Sequence, residues 1–334
     1  MDKILITGGA GFIAYHLAKR LLERGSCQID LLDNFSRGQM DEELRELLSS
    51  PRVDFIEGDL CDGSTFRGLS RDYTHVYHLA AIIGVKNVME KPHKVLYVNS
   101  TSILNLLEWL PDLERLRKLL FSSTSEIYAG TLANYGIEVP TNERVPLVVY
   151  DIESPRTSYG LSKMLGESAC FNYGAQYGIP FTIVRYHNVY GPRMGYAHVV
   201  PETFIKVGKN SRVEVPSANH SRAFCYVDDA VEMTIRACES EKTASEILHI
   251  GKQDEEIPIK ELVRLIAKVM GRDIEVLEMP PTEGSPARRC PDTSKIEKMT
   301  GYSPQVGLEE GLRRCYEWYE DRIDDRVGCS QHRK

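Results

Sequence analysis

Tyr159 and Lys163, in the stretch Tyr159-Gly160-Leu161-Ser162-Lys163, stand four residues apart and share one face of a helix. A free tyrosine loses its proton only near pH ~10, so a phenol that takes up a proton near neutrality needs help. The ammonium of Lys163 stabilises a tyrosinate. It therefore predicts a Tyr159 pKa lowered toward neutrality, as a general base requires. In an arbitrary helix such a pair is a surface contact. Here it follows Ser122-Ser123-Thr124-Ser125-Glu126-Ile127-Tyr128, a run of hydroxyls ending in a carboxylate after a buried apolar strand. Packing alone does not call for that run.

A base of this kind needs something to act with, and the first twenty-five residues supply it. Lys3-Ile4-Leu5-Ile6 reads as a buried strand. Thr7-Gly8-Gly9-Ala10-Gly11-Phe12-Ile13-Ala14 follows, then Leu17, Ala18, Leu21 and Leu22 at helical spacing, closed by Gly25. Gly8, Gly11 and Ala14 keep the three-residue spacing of a dinucleotide fingerprint, with Ala in its last place. Glycines let the backbone approach a pyrophosphate, and a helix N-terminus favours its charge. A second strand at 28–32 ends at Asp33, about twenty residues past the glycines. A carboxylate there accepts from both ribose hydroxyls and repels a 2′-phosphate, so NAD is expected rather than NADP. Arg37, just beyond, reads as a solvated loop residue. Asp59 either accepts from the adenine amino group or simply forms a turn. The small Ala80 and Ala81 leave room for the nicotinamide side.

These residues must be positioned by a sheet. Strand-like runs at 52–57, 74–79, 119–122 and 181–185 alternate with helical stretches, clearest at 95–110 and 160–177. Such alternation predicts an α/β fold, a Rossmann-type doubly wound parallel sheet covered on both faces. Substrate then lies at the carboxyl ends of the strands. Beyond 190 the pattern breaks into helices at 200–209, 227–238, 258–270 and 308–322, which predicts a smaller C-terminal α/β lobe. The expected division is 1–185 for the dinucleotide domain, 186–322 for a partly interleaved second lobe, and 323–334 for a polar, fraying tail.

The 334 residues are 42% apolar and 27% charged, with a net charge of −7, which argues against nonspecific nucleic-acid binding. No secretory signal and no membrane-spanning run is visible. Eight scattered cysteines without a Cys-x-x-Cys pair fit a reducing cytoplasm, with neither a disulfide framework nor a metal site. His75 and His78 point to opposite faces of a strand and read as structural.

Taken together, the motifs resemble the extended short-chain dehydrogenase/reductases that act on nucleotide sugars, from Lys3 through about Trp318. The matching stretches are 7–13, His78-Leu79-Ala80-Ala81, 122–128, Tyr159 with Lys163, Arg185-Tyr186-His187-Asn188-Val189-Tyr190-Gly191-Pro192-Arg193, 222–229 and Arg288-Arg289-Cys290-Pro291-Asp292. The resemblance implies that Tyr159 is the base, Lys163 its partner on the nicotinamide ribose, and Thr124, with Ser125 and Glu126 beside it, the group on the oxidised sugar hydroxyl. It implies an NAD site of Gly8, Gly11, Phe12, Ile13, Asp33, Asn34, Asp59, Leu60, Leu79, Ala80, Ala81, Asn99, Ser122 and Tyr186. Asn99 would also hold the active-site helix. It implies a nucleotide-sugar site of Val85, Asn188, Val199, Arg222, Arg289 and Asp292, with both arginines on the diphosphate and Asp292 on the nucleotide ribose. Arginine suits phosphate through its planar fork. It also implies a homodimer formed by the helices near 95–110 and 160–177, with Leu104, Leu107, Phe171 and Tyr173 as contacts.

The chemistry so implied is transient oxidation at C4 of a nucleotide-linked hexose, here leaning to a UDP-sugar. Epimerisation, decarboxylation and dehydration all branch from the ketone. The Thr-Ser-Glu triplet looks like that of UDP-glucuronate decarboxylases and GDP-mannose dehydratases, and Asp33 speaks against the NADP-using branch. A non-catalytic regulator would lack Tyr159 or Lys163. Three departures stand out: Ser217-Ala218-Asn219-His220 replaces a Gly-rich turn, one extra residue precedes Gly130, and 131–157 is long.

Overall fold

The computed structural model describes residues 1–25, 27–282 and 285–328. Six strands occur where the apolar runs predict them: β1 (Asp2–Thr7), β2 (Cys27–Asp33), β3 (Val53–Glu57), β4 (His75–His78), β5 (Lys118–Thr124) and β6 (Phe181–Tyr186). A seventh, Glu246–Ile250, comes from the segment assigned to the smaller lobe and joins the same sheet beside β6. The order is Glu246–Ile250, β6, β5, β4, β1, β2, β3, and every neighbouring pair is parallel. Both faces are covered, so the central strands are buried along nearly their whole length; Leu5, Ile6, Leu119 and Leu120 are fully buried. The winding reverses between β1 and β4, which opens a crevice at their carboxyl ends.

The C-terminal part is built from short strands and helices. Ser221–Ala223 pairs with Glu256–Pro258 on one side and with Arg288–Arg289 on the other. Arg212–Pro216 pairs with Glu275–Met279. Helices Val199–Lys209, Val227–Glu239, Ile259–Val269 and Leu308–Gly328 lie where helical spacing predicts them. The last helix runs past 322, where the sequence predicts a fraying tail. Leu312, Cys315, Tyr319 and Ile323 form one buried stripe, and burial of Ile323 carries the helix onward. The rest of the expected tail, 329–334, lies outside the described residues, as does Cys329. Among the described residues no helix is long and apolar enough to cross a membrane.

Helix Thr157–Tyr177 carries Tyr159 and Lys163. Its height above β5 is set by Gly166, where a Cβ would come within 2.3 Å of Cζ of Phe121. This helix packs on Pro92–Trp109. Leu107 faces the core with Ile103 and Leu106, not outward as the dimer reading expects, because it shares the buried stripe of its helix. Leu104 is half-buried. Tyr173 donates to Glu108 at 2.5 Å, and Phe171 stays 40% exposed.

Under the ends of β5 and β6 lies a buried ion pair. Arg185 donates from Nη2 to Glu167 at 2.6 Å and from Nε at 2.8 Å. Ser123 Oγ donates to the same carboxylate at 2.5 Å. Arg185 Nη1 reaches the Tyr128 hydroxyl at 2.5 Å and the Glu143 carbonyl at 2.9 Å. Removing one partner of such a pair strands the other charge. Glu167→Leu should therefore cost about 3–5 kcal/mol of unfolding free energy, read from urea denaturation.

Candidate functional site

A cleft of about 1410 Å³ opens along the carboxyl ends of the strands. Its floor is the glycine turn. Gly8 has φ 72°, and a Cβ there would sit 2.8 Å from the Ala80 amide nitrogen. Only glycine lets β1 turn this close to the loop after β4. Gly11 caps helix Phe12–Arg24, whose first turn has neither a side-chain cap nor an acidic residue. Its N–H groups are left to an anion. Thr7 accepts from the Ala80 N–H at 3.3 Å and pairs with His78 Nδ1 at 3.0 Å. His78 is thus part of the frame, and burial pushes its pKa down to about 3.

Asp33 ends β2 at the cleft wall. One of its oxygens accepts from the Ala10 N–H at 3.1 Å and the other from the Phe35 N–H at 2.8 Å. Each oxygen keeps a lone pair for a ribose hydroxyl. Asn34 donates to Asp59 at 3.2 Å, and Asp59 also accepts from the Cys61 N–H at 2.8 Å, so Asp59 forms a turn and faces the cleft at once. Phe12, Ile13, Leu60, Leu79, Ala80, Ala81, Ser122 and Tyr186 line the same space. The cradle at Gly8, the open helix start and Asp33 fit a dinucleotide.

Asn99 stands behind the wall. It joins the Ile82 N–H at 2.7 Å, the Ile82 carbonyl at 3.1 Å and Ser162 Oγ at 3.2 Å, so it fastens the loop after β4 to the helix of Tyr159. In the sequence Arg193 is only the last residue of a motif. In the fold it braces the glycine turn, donating to Gly11 O at 3.1 Å, Ala10 O at 3.2 Å and Asp41 at 2.8 Å. No local signal could have revealed this, because the two partners lie far apart in the chain.

At the other end Tyr159 meets Thr124, whose hydroxyl also accepts from the Glu126 N–H at 3.2 Å. Here one expectation is corrected. Tyr159 is not lowered toward neutrality: burial pushes it up to about 12. Lys163 does share its helix face, but it turns under β5, donates to the Ser122 carbonyl at 2.7 Å and lies 5.0 Å over the Phe121 ring. Burial lowers Lys163 to about 8. The cation acting on Tyr159 is instead Arg37.

Glu126 forms an ion pair with Arg289 at 2.5 Å. That guanidinium, first among the causes, holds the Glu126 carboxyl below the usual range. Nε of Arg289 is buried without a partner. Ser125, Val85, Asn188 and Val199 line the cleft with them.

Arg222 and Asp292 are not brought to its wall. Arg222 spends its donors on Ser221 O at 2.7 Å, Pro286 O at 2.7 Å and Ser285 Oγ at 2.9 Å. Asp292 accepts from the Ser294 N–H at 2.9 Å at the start of the helix Ser294–Thr300. Arg222 spends its donors within the short-strand layer that carries it, and Asp292 stands at a helix start outside the cleft lining. In place of the Gly-rich turn, Ser217 itself takes φ 55°, and its hydroxyl accepts from the Thr282 N–H at 2.9 Å. The long 131–157 segment folds over the cleft, which Val148, Val149 and Tyr150 help to line.

Comparison with known proteins agrees with this arrangement. A model of the NAD-dependent epimerase/dehydratase family matches residues 4–251. The chain is 34% identical to a UDP-N-acetyl-alpha-D-glucosaminuronate decarboxylase of Bacillus cytotoxicus, covering 97% of this chain and 99% of that one. Its fold resembles that of UDP-glucose 4-epimerase of Thermotoga maritima solved with UDP-glucose, with a TM-score of 0.83 and 30% identity over 96% of this chain and 99% of the other. It also resembles UDP-glucuronic acid 4-epimerase of Bacillus cereus solved with UDP-glucuronic acid and NAD, with a TM-score of 0.83 and 27% identity over the same shares.

Asp33 should make NAD bind more tightly than NADP. Asp33→Ala should weaken NAD about 10–100-fold, since a hydrogen bond to a charged group is worth ~1.5–3 kcal/mol. Calorimetric titration with both dinucleotides checks this, and tighter NADP binding by the unaltered protein would contradict it.

Proposed function

Since the chain belongs to the NAD-dependent epimerase/dehydratase family, and is an NAD-dependent nucleotide-sugar-modifying enzyme, we propose that its net reaction is decarboxylation of a UDP-linked hexuronic acid. NAD, when bound, supplies the acceptor for hydride from C4 and its later return. Tyr159 removes the C4 hydroxyl proton, and Thr124 holds that oxygen by a hydrogen bond. A ketone at C4 makes the C6 carboxylate that of a β-keto acid. The C5–C6 bond then breaks, carbon dioxide leaves, and its electron pair becomes the C4–C5 enolate. A proton added at C5 restores the ketone, whose reduction gives a UDP-pentose.

The observation that carries this reading is the Glu126–Arg289 pair beside Thr124. Simple inversion at C4 needs no carboxylate there. Arg289 lines the cleft and offers a planar fork to a substrate carboxylate. Glu126 is the group to relay a proton at C5. The first relative named above, by its name a uronate decarboxylase, supports the same choice.

Two further readings follow from the family. The protein forms a homodimer through helices Pro92–Trp109 and Thr157–Tyr177, where Leu96, Tyr97, Leu165, Phe171 and Tyr177 stay exposed. It works in the cytoplasm, a placement supported by the unpaired cysteines among the described residues. Light scattering at micromolar concentration should return twice the chain's mass, and a monomer would count against the dimer.

The decisive assay incubates the enzyme with UDP-glucuronate and UDP-N-acetylglucosaminuronate, with products read by mass and proton NMR. Glu126→Gln should lose about 10²–10⁴-fold in product formation yet still build up NADH absorbance. Tyr159→Phe should abolish both signals. Full turnover by the Gln variant would sink the decarboxylase reading and leave 4-epimerisation in front.

A further inference from the structure

Arg37 follows β2 by four residues and lines the cleft. Its side chain is exposed there and crosses toward the opposite wall. One terminal nitrogen lies 4.0 Å from the point where a side chain on Gly195 would begin, and the His198 ring lies 3.8 Å from the same point. Arg37 therefore spans the gap between the loop after β2 and the 195–198 segment of the C-terminal part.

The other cations of the cleft are engaged. Arg193 is held by Asp41, Arg289 by Glu126 and Lys163 by the Ser122 carbonyl. Arg156 also has a partner. Among the described residues no carboxylate forms an ion pair with Arg37, and the group acting on it electrostatically is the Tyr159 hydroxyl. Asp33 and Asp59, on the same side, already accept backbone N–H groups. A guanidinium on the cleft wall with no counter-charge keeps its donors available to an anionic ligand. The anion shared by both cleft ligands is a diphosphate, whose oxygens match the flat five-donor fork of arginine.

We infer that Arg37, with His198 across from it, is a receptor for a bridging diphosphate and ties the two walls together when that ligand arrives. The diphosphate comes from the dinucleotide or from the nucleotide sugar. The inference rests on binding of these ligands, not on decarboxylation, so it is tested by binding without turnover.

Arg37→Gln in the full-length protein is titrated calorimetrically with NAD, with NADP, and with UDP after saturation by NAD. A loss of about 10–100-fold for NAD, for UDP or for both supports the inference, with Arg37→Lys recovering much of it. A loss confined to NAD assigns the dinucleotide diphosphate, and one confined to UDP assigns that of the sugar nucleotide. Unchanged affinity for both overturns the inference. So does a loss confined to NADP, which would mean that Arg37 meets only a 2′-phosphate.

Discussion

A guanidinium and a carboxylate cut off from water tie the catalytic end of the molecule together. Arg185 ends β6, Glu167 sits on the helix of Tyr159, and Ser123 of β5 shares the carboxylate. Two such charges survive burial only if nearly every donor and lone pair is used. Here Tyr128 and the Glu143 carbonyl take both donors of Arg185 Nη1. Tyr128 in turn meets His249 at 2.7 Å, and His249 meets the Asp292 carbonyl at 2.9 Å. One buried network thus registers the helix of the base, the Thr124 loop and the segment that delivers Arg289.

The same logic holds at the other end, where backbone does the work. Gly8 against Ala80 brings the first turn beside the loop after β4. Arg193 then reaches back from the C-terminal part to the carbonyls of that turn. The cofactor floor is completed by a residue that is nowhere near it in sequence. Between the two ends Arg289 is paired with Glu126, and Arg37 reaches across the gap without an ion pair among the described residues.

The site also shows what a helical pair does and does not accomplish. Tyr159 and Lys163 share a face, yet burial dominates both, raising one and lowering the other. Spacing puts the ammonium on the right side of the helix. Whether it acts on the phenol depends on where the lysine stem finds an acceptor, and here that acceptor is the Ser122 carbonyl.

Much of the protein was legible in its sequence for a physical reason: the signals are local. Apolar runs bounded by turns mark strands buried on both faces, and six of seven central strands were found that way. The glycine spacing, Asp33, the hydroxyl run and Tyr159 with Lys163 are read along the chain, because each is fixed by neighbours a few residues away. Tertiary structure alone decided the rest. Glu246–Ile250 joins the large sheet because β6 offers it a free edge, which no local pattern announces. Arg222 and Asp292 carry suitable chemistry but stand outside the cleft lining, whereas Arg289 is delivered to Glu126 across 163 positions. Leu107 turned inward and Arg37 turned into the cleft for the same reason. Residue type states what a side chain can do. What it does depends on which partners the fold brings within a few ångströms, and those partners come from distant parts of the chain.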